Sequence, residues 1–212
     1  MSEHDKPIGD EHEENKPVRK RPRPGERRLQ ILQTLAQMLE QPGGERVTTA
    51  ALAARIGVSE AALYRHFASK AQMFEGLIDF VEQSCMALIR QVTDREAPGP
   101  NQALRILSLI LQFAEKNPGM CRVMTGDALI LEHERLQQRV NLLMDKIEAQ
   151  LRQSLREATA DQDMQAAPQQ AQAPVVASVM LAFLLGRLQR HVRTGFARKP
   201  TEDLQACLSR LV

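Results

Sequence analysis

Residues 48–67, Thr-Thr-Ala-Ala-Leu-Ala-Ala-Arg-Ile-Gly-Val-Ser-Glu-Ala-Ala-Leu-Tyr-Arg-His-Phe, decide the fold. Thr48 or Thr49 can cap a first helix, in which Leu52, Ala53 and Ile56 form one apolar stripe at helical spacing. Gly57 stops it, because glycine adopts the left-handed conformation a helix end needs. Val58 fills the turn, and Ser59 caps a second helix with Glu60 well placed in its first turn. That helix buries Ala62, Leu63 and Phe67. Small Ala53, turning Gly57 and apolar Leu63 have the spacing of two helices that cross closely, so the stretch is a helix-turn-helix.

Side chains not used by the apolar stripe define a candidate DNA surface. A reading helix enters the major groove by its N-terminal end, which directs Ser59 and Glu60 to base edges while Thr48, Tyr64, His66 and Lys70 hold phosphates. Thr49, Ala62 and Arg65 join them as candidate DNA contacts, with Arg27 and Arg28 from a basic arm further upstream.

Thr48-Thr49 onward through Ser59-Glu60-Ala61-Ala62-Leu63-Tyr64-Arg65-His66-Phe67, then Ser69-Lys70 and Met73-Phe74, resembles the DNA-binding domain of TetR-type regulators. Within that family the chain is similar to the nucleoid occlusion factors. Glu115-Lys116-Asn117-Pro118-Gly119, Met124-Thr125-Gly126, Glu134-Arg135-Leu136-Gln137 and the run from Ile147 to Gln153 carry that closer likeness. It covers about 26–157 and, more weakly, 175–200. The resemblance implies a cytoplasmic, nucleoid-associated homodimer on palindromic double-stranded DNA that engages the division GTPase FtsZ while bound. It also implies a partner surface at Phe80, Leu109, Lys116 and Asn117. The family more often carries Arg than Lys before Asn-Pro-Gly; Lys116 keeps the charge without the bidentate fork.

The expected architecture is all-α and TetR-like. A tail, 1–24, precedes a three-helix helix-turn-helix domain at 25–85 and a helical body and dimerisation domain at 86–212. In the tail, Glu3, Asp5, Asp10, Glu11, Glu13 and Glu14 are followed by Lys16, Arg19, Lys20, Arg21 and Arg23, with prolines throughout. Such a segment has little to bury and is expected to be disordered. Its acidic run is expected to compete with DNA for the basic arm. The net charge of +2 points to no partner by itself.

Leu29, Leu32, Leu35, Ala36 and Leu39 predict a helix over 26–41, ended by Pro42-Gly43-Gly44. Ser69-Lys70-Ala71-Gln72 has the spacing of a capping box before a long helix through Met73, Leu77, Val81, Cys85, Leu88 and Val92. Asn101 is expected to cap the next helix, which is apolar on nearly every side from Leu104 to Ala114. A long helix is expected from Asp127 to about Glu157, then a flexible connector at 158–174. Helical residues 175–197 and a short helix around Leu204, Leu208 and Leu211 complete the body and leave apolar faces suited to a second copy.

Other classes are poorly supported. The chain has no His-Glu-x-x-His, phosphate loop or nucleophile elbow, and Glu132-His133-Glu134 point to different sides of a helix. No enzyme, metal or cofactor is expected. Cys85, Cys121 and Cys207 read as unpaired thiols among apolar residues. The N-terminus is charged and no apolar run approaches ~18 residues, so neither a secretion signal nor a membrane span is expected. The alternative function is a ligand-responsive TetR-type repressor. With no Trp and its one Tyr in the reading helix, the body is poor in the aromatic walls such a pocket needs.

Overall fold

The computed structural model describes residues 25–41, 46–157 and 166–211, the side chains of 166–171 aside. The tail at 1–24 lies outside the described residues, as do Pro42-Gly43-Gly44. Among the described residues, nine α-helices and one 3-10 turn follow one another, with no strand.

Helix α1, Glu26–Leu39, buries Ile31, Leu35, Ala36 and Leu39. Leu29, expected inside, is 52 % exposed: the buried stripe starts at Ile31 and runs along a neighbouring face. Helices α2, Thr49–Ile56, and α3, Glu60–Tyr64, complete the head around Leu52, Ala53, Leu63 and Phe67. Helix α4, Lys70–Thr93, runs unbroken through the expected boundary at 85/86, with Cys85 inside a core continuous from head to body. Ile89 takes the buried position at its far end, and Leu88 is only half-buried.

Helix α5, Pro100–Lys116, starts from Gly99 with Pro100 in its first turn, so Asn101 is not the cap. Proline suits that place because the N–H it lacks has no partner there anyway. Ile106, Leu107, Ile110 and Leu111 put α5 at the centre of the body. After Asn117, α6 (Pro118–Met124) packs tightly on α1: a Cβ added at Gly119 would lie 2.2 Å from the Ala36 carbonyl oxygen. The Arg122 guanidinium donates to the Leu39 carbonyl oxygen at 3.3 Å and to Asp127 Oδ2 at 2.6 Å, satisfying an otherwise open carbonyl at the end of α1.

Two expected boundaries move. The long helix begins at Glu134, not Asp127: Gly126 is left-handed, Asp127–Leu129 forms the 3-10 turn, and the chain bends once more before α7, Glu134–Glu157. Helix α8, Ala166–Arg193, reaches back into the expected connector and contains Pro174; only 158–165 lie outside the described residues. Proline inside a helix costs a hydrogen bond and crowds the preceding turn. Packing on α7 offsets this, since Ala173 and Ala177 on either side of Pro174 are buried. A last helix, α9 (Leu204–Leu208), closes the chain.

Within α8, Gln172–Arg193 is long and apolar enough to cross a membrane, with mean hydropathy 1.3 over its most apolar window. One side of it, Met180, Leu184 and Leu188, is fully buried in the shared core beside α7, while Val175, Val179 and Leu185 are exposed. Burial also pushes the Cys85 and Cys121 thiols up to about 12, which keeps them protonated and unreactive at neutral pH.

Candidate nucleic-acid interface and partner groove

The reading pair is held by local hydrogen bonds. Thr48 Oγ1 accepts from the Ala51 amide at 3.1 Å and Ser59 Oγ accepts from the Ala62 amide at 3.3 Å, so both helices start on side-chain caps. Gly57, with φ 76°, turns the chain while its amide and that of Val58 both donate to the Ala53 carbonyl oxygen at 3.0 Å. This bonding pattern closes the first helix and aims the second.

Between the helices, Thr49 Oγ1 donates to Glu60 Oε2 at 2.7 Å. Each residue is the first of its helix, so this hydrogen bond ties the start of α2 to the start of α3. Ser59, Tyr64, Arg65 and His66 are exposed and Ala62 is half-buried beneath them.

The candidate cations fall into two groups. Arg27 donates to its helix neighbour Gln30 at 2.7 Å and is half-buried. Arg28 donates to the His66 carbonyl oxygen at 2.8 Å and lies 4.0 Å over the Phe67 ring, fastening α1 to the end of the reading helix. Lys70 turns toward the body, where its ammonium pairs with Glu132 and sits 5.6 Å above Phe74. Arg46 escaped sequence reasoning. It lies two residues before the Thr48 cap, is exposed, and also reaches Glu132 at 3.5 Å. Its position just ahead of a cap was the available signal.

A second concavity lies where head and body meet. Leu29, Leu32 and Gln33 of α1, Leu77 and Phe80 of α4, and Asn117 and Met120 at the α5–α6 junction line a groove of about 440 Å³. Phe80 is 45 % exposed, and Asn117 is fixed by donating to the Phe113 carbonyl oxygen at 2.7 Å. The groove brings Phe80 and Asn117 together. Leu109 is half-buried and Lys116 exposed, and neither lines it. The α1 wall was invisible in sequence because Leu29 reads as core. No grouping of His, Cys, Asp or Glu that could hold a metal ion occurs among the described residues.

Fold and capped reading pair together define a TetR-type DNA-binding regulator. Residues 31–77 match the family described as bacterial regulatory proteins, tetR family, and 102–211 match the tetracyclin repressor-like C-terminal domain of the SlmA-like group. The chain is 52 % identical over 182 residues to the nucleoid occlusion factor SlmA of Photobacterium profundum, covering 84 % of this chain and 89 % of the relative. It is 51 % identical over 176 residues to that of Shewanella amazonensis, covering 83 % and 88 %. The chain belongs to the SlmA family of nucleoid occlusion factors.

Solved structures show the same fold at lower identity. The fatty acid degradation regulator FadR of Bacillus halodurans superposes with a TM-score of 0.70 at 13 % identity, over 88 % of this chain and 95 % of that one. The TetR family regulator PfmR of Thermus thermophilus gives 0.66 at 20 %, over 85 % and 96 %.

Proposed function

We propose that this chain is a nucleoid-associated cytoplasmic protein that binds palindromic duplex DNA as a homodimer and, while bound, engages FtsZ and hinders ring assembly over the chromosome. The observation that carries the partner half of this reading is the composite groove: α1 belongs to the DNA-reading head, Phe80 stands on α4, which runs from the head into the body, and Asn117 lies at the α5–α6 junction of the body. A partner segment seated there touches both at once. Any shift of the head on DNA therefore changes the groove, and a change of a few kcal/mol between two arrangements is enough to switch affinity strongly.

In this reading Ser59 and Glu60 approach base edges, with Ala62 and Arg65 beside them on the reading helix. Thr48, Thr49, Tyr64, His66 and Lys70 flank them toward the phosphates. Arg27 and Arg28 extend the basic track, Arg28 chiefly by holding the reading helix in place. Phe80, Leu109, Lys116 and Asn117 serve the partner, with Lys116 as a charge at the rim. The homodimer rests on α7 and α8, where Leu142, Val175, Val179 and Leu185 are exposed. The ligand-responsive alternative has weaker support: the middle of the body is filled by Ile106, Leu107, Ile110 and Leu111, and the body's concavity of about 680 Å³ between α7 and α8 has no aromatic wall.

Sedimentation of FtsZ polymers with GTP tests the proposal. The chain is added alone and then with a duplex that it has itself selected from chromosomal DNA. Loss of polymer mainly when protein and duplex are both present is expected, and Phe80→Ala should abolish it while leaving duplex binding intact. Polymer that is indifferent to every mixture overturns the FtsZ reading.

A further inference from the structure

We infer that Glu132, on the body, is a resident substitute for a DNA phosphate and sets how tightly the head holds DNA. It rests on the DNA-binding reading of the head. Glu132 lies in the short segment between the 3-10 turn and α7, with its side chain only 9 % exposed. Two cations converge on one of its carboxylate oxygens: the Lys70 ammonium, in short contact, and Arg46 Nε at 3.5 Å.

Both cations come from the head, beside the two helices of the reading pair. Lys70 is the first residue of α4, directly after the reading helix and its turn. Arg46 leads into Thr48, the cap of α2, and its side chain is 57 % exposed. The same segment is strapped in place elsewhere: Arg46 Nη2 donates to the Leu131 carbonyl oxygen at 3.2 Å, and Arg122 holds Asp127 at 2.6 Å. Glu132 therefore waits at a fixed point beside the cations that an arriving phosphate needs.

A carboxylate offers a Lys or Arg the same charge-assisted hydrogen bonds that a phosphate oxygen offers. Without DNA, Glu132 occupies Lys70. With DNA, Lys70 passes from Glu132 to a backbone phosphate, and the uncovered carboxylate remains near the negative duplex. Both steps lower affinity, most of all at low salt, and both subtract from the charge that the head presents to phosphates.

Glu132→Gln removes the charge while keeping size and an acceptor oxygen. Duplex binding measured against salt should then be roughly tenfold tighter at low salt, with a log–log slope steeper by about one, the value for one additional neutralised phosphate. Lys70→Ala in the same background should erase most of the gain. Glu132→Asp keeps the charge and should leave the slope unchanged. Equal or weaker binding by Glu132→Gln at an unchanged slope overturns the inference, as does an equal gain from Glu132→Asp.

A second measurement needs no variant and stands if Glu132→Gln does not fold. Carbodiimide labelling of the wild-type chain, read by mass spectrometry, should find Glu132 protected without DNA and reactive in the duplex complex. Protection in both states overturns the handover. Wild-type binding to the selected duplex is the control: its failure would count against the DNA-binding reading, whereas wild-type binding with an unresponsive Glu132 counts against this inference alone.

Discussion

The reading pair α2–α3 and the long pair α7–α8 are both two packed helices, built on opposite rules. The first is short, eight and five residues, and is organised by caps at Thr48 and Ser59, a left-handed Gly57 and the Thr49–Glu60 hydrogen bond. Its outward face is polar. The second is long, 24 and 28 residues, and is organised by aliphatic stripes: Leu136, Val140, Leu143 and Ile147 on α7, Ala177, Met180, Leu184 and Leu188 on α8. Its outward face still carries Leu142, Val175, Val179 and Leu185. On the proposed reading the first face meets phosphates and needs directed donors held in place, whereas the second meets a copy of itself and needs area.

Breaking the apolar face should have the largest effect. Val179→Glu puts a charge on α8 at a residue that is 48 % exposed, so the fold should survive while association with a second copy is lost. Losing the second head removes the gain from simultaneous engagement of two half-sites. Duplex affinity should fall by about a hundredfold or more. Sedimentation velocity and duplex titration on one sample check this, and a dimeric Val179→Glu would place the self-contact elsewhere.

Breaking the head from within comes next. Phe67 is 1 % exposed, closes the reading pair and carries the Arg28 guanidinium on its ring. Phe67→Ala should cost about 3–5 kcal/mol in urea unfolding, the range for emptying a buried aromatic site. Because head and body share one core, a single transition shifted to lower urea is expected; two separated transitions would show that the head melts by itself.

Gly119→Ala tests the joint between the two regions. The new methyl group would meet the Ala36 carbonyl oxygen at 2.2 Å, and backbone cannot step aside as a flexible side chain can. The α1–α6 contact must open, at about 1–3 kcal/mol by thermal unfolding. Since α1 is one wall of the groove proposed to take the partner, FtsZ antagonism should weaken more than duplex binding does.

Features that depend on neighbours in sequence were legible, and those that depend on neighbours in space were not. Thr48, Gly57, Ser59 and the Ser69 cap act within three or four residues, so residue identity reveals them. Leu29 and Ile31 both fit a helical stripe on α1, and only α4 and α6 arriving from further along the chain decide that Ile31 is core and Leu29 lines a groove. Lys70 beside a reading helix suggests a phosphate contact. Its pairing with Glu132, 62 residues later, follows from the bend between the 3-10 turn and α7, which a continuous helix from Asp127 would not make. Pro174 reads as a break, and the α7–α8 packing that overrides it leaves no local trace.

Thr48 gives the smallest effect and the finest distinction, because a cap and a phosphate ligand ask different things of one hydroxyl. Its Oγ1 accepts from the Ala51 amide at 3.1 Å while the residue itself is exposed. Thr48→Ala should lower stability by about 1 kcal/mol, the usual cost of a lost cap. Thr48→Asp restores a good cap, and its charge is favourable at a helix N-terminus, so thermal unfolding should return to near the wild-type midpoint. Against DNA the two variants part: a carboxylate repels phosphate, and Thr48→Asp should bind duplex more weakly than Thr48→Ala despite being the more stable protein. If duplex affinity instead follows stability across both, Thr48 shapes α2 and makes no contact with the backbone of DNA. The polar face of the head would then begin at Ser59.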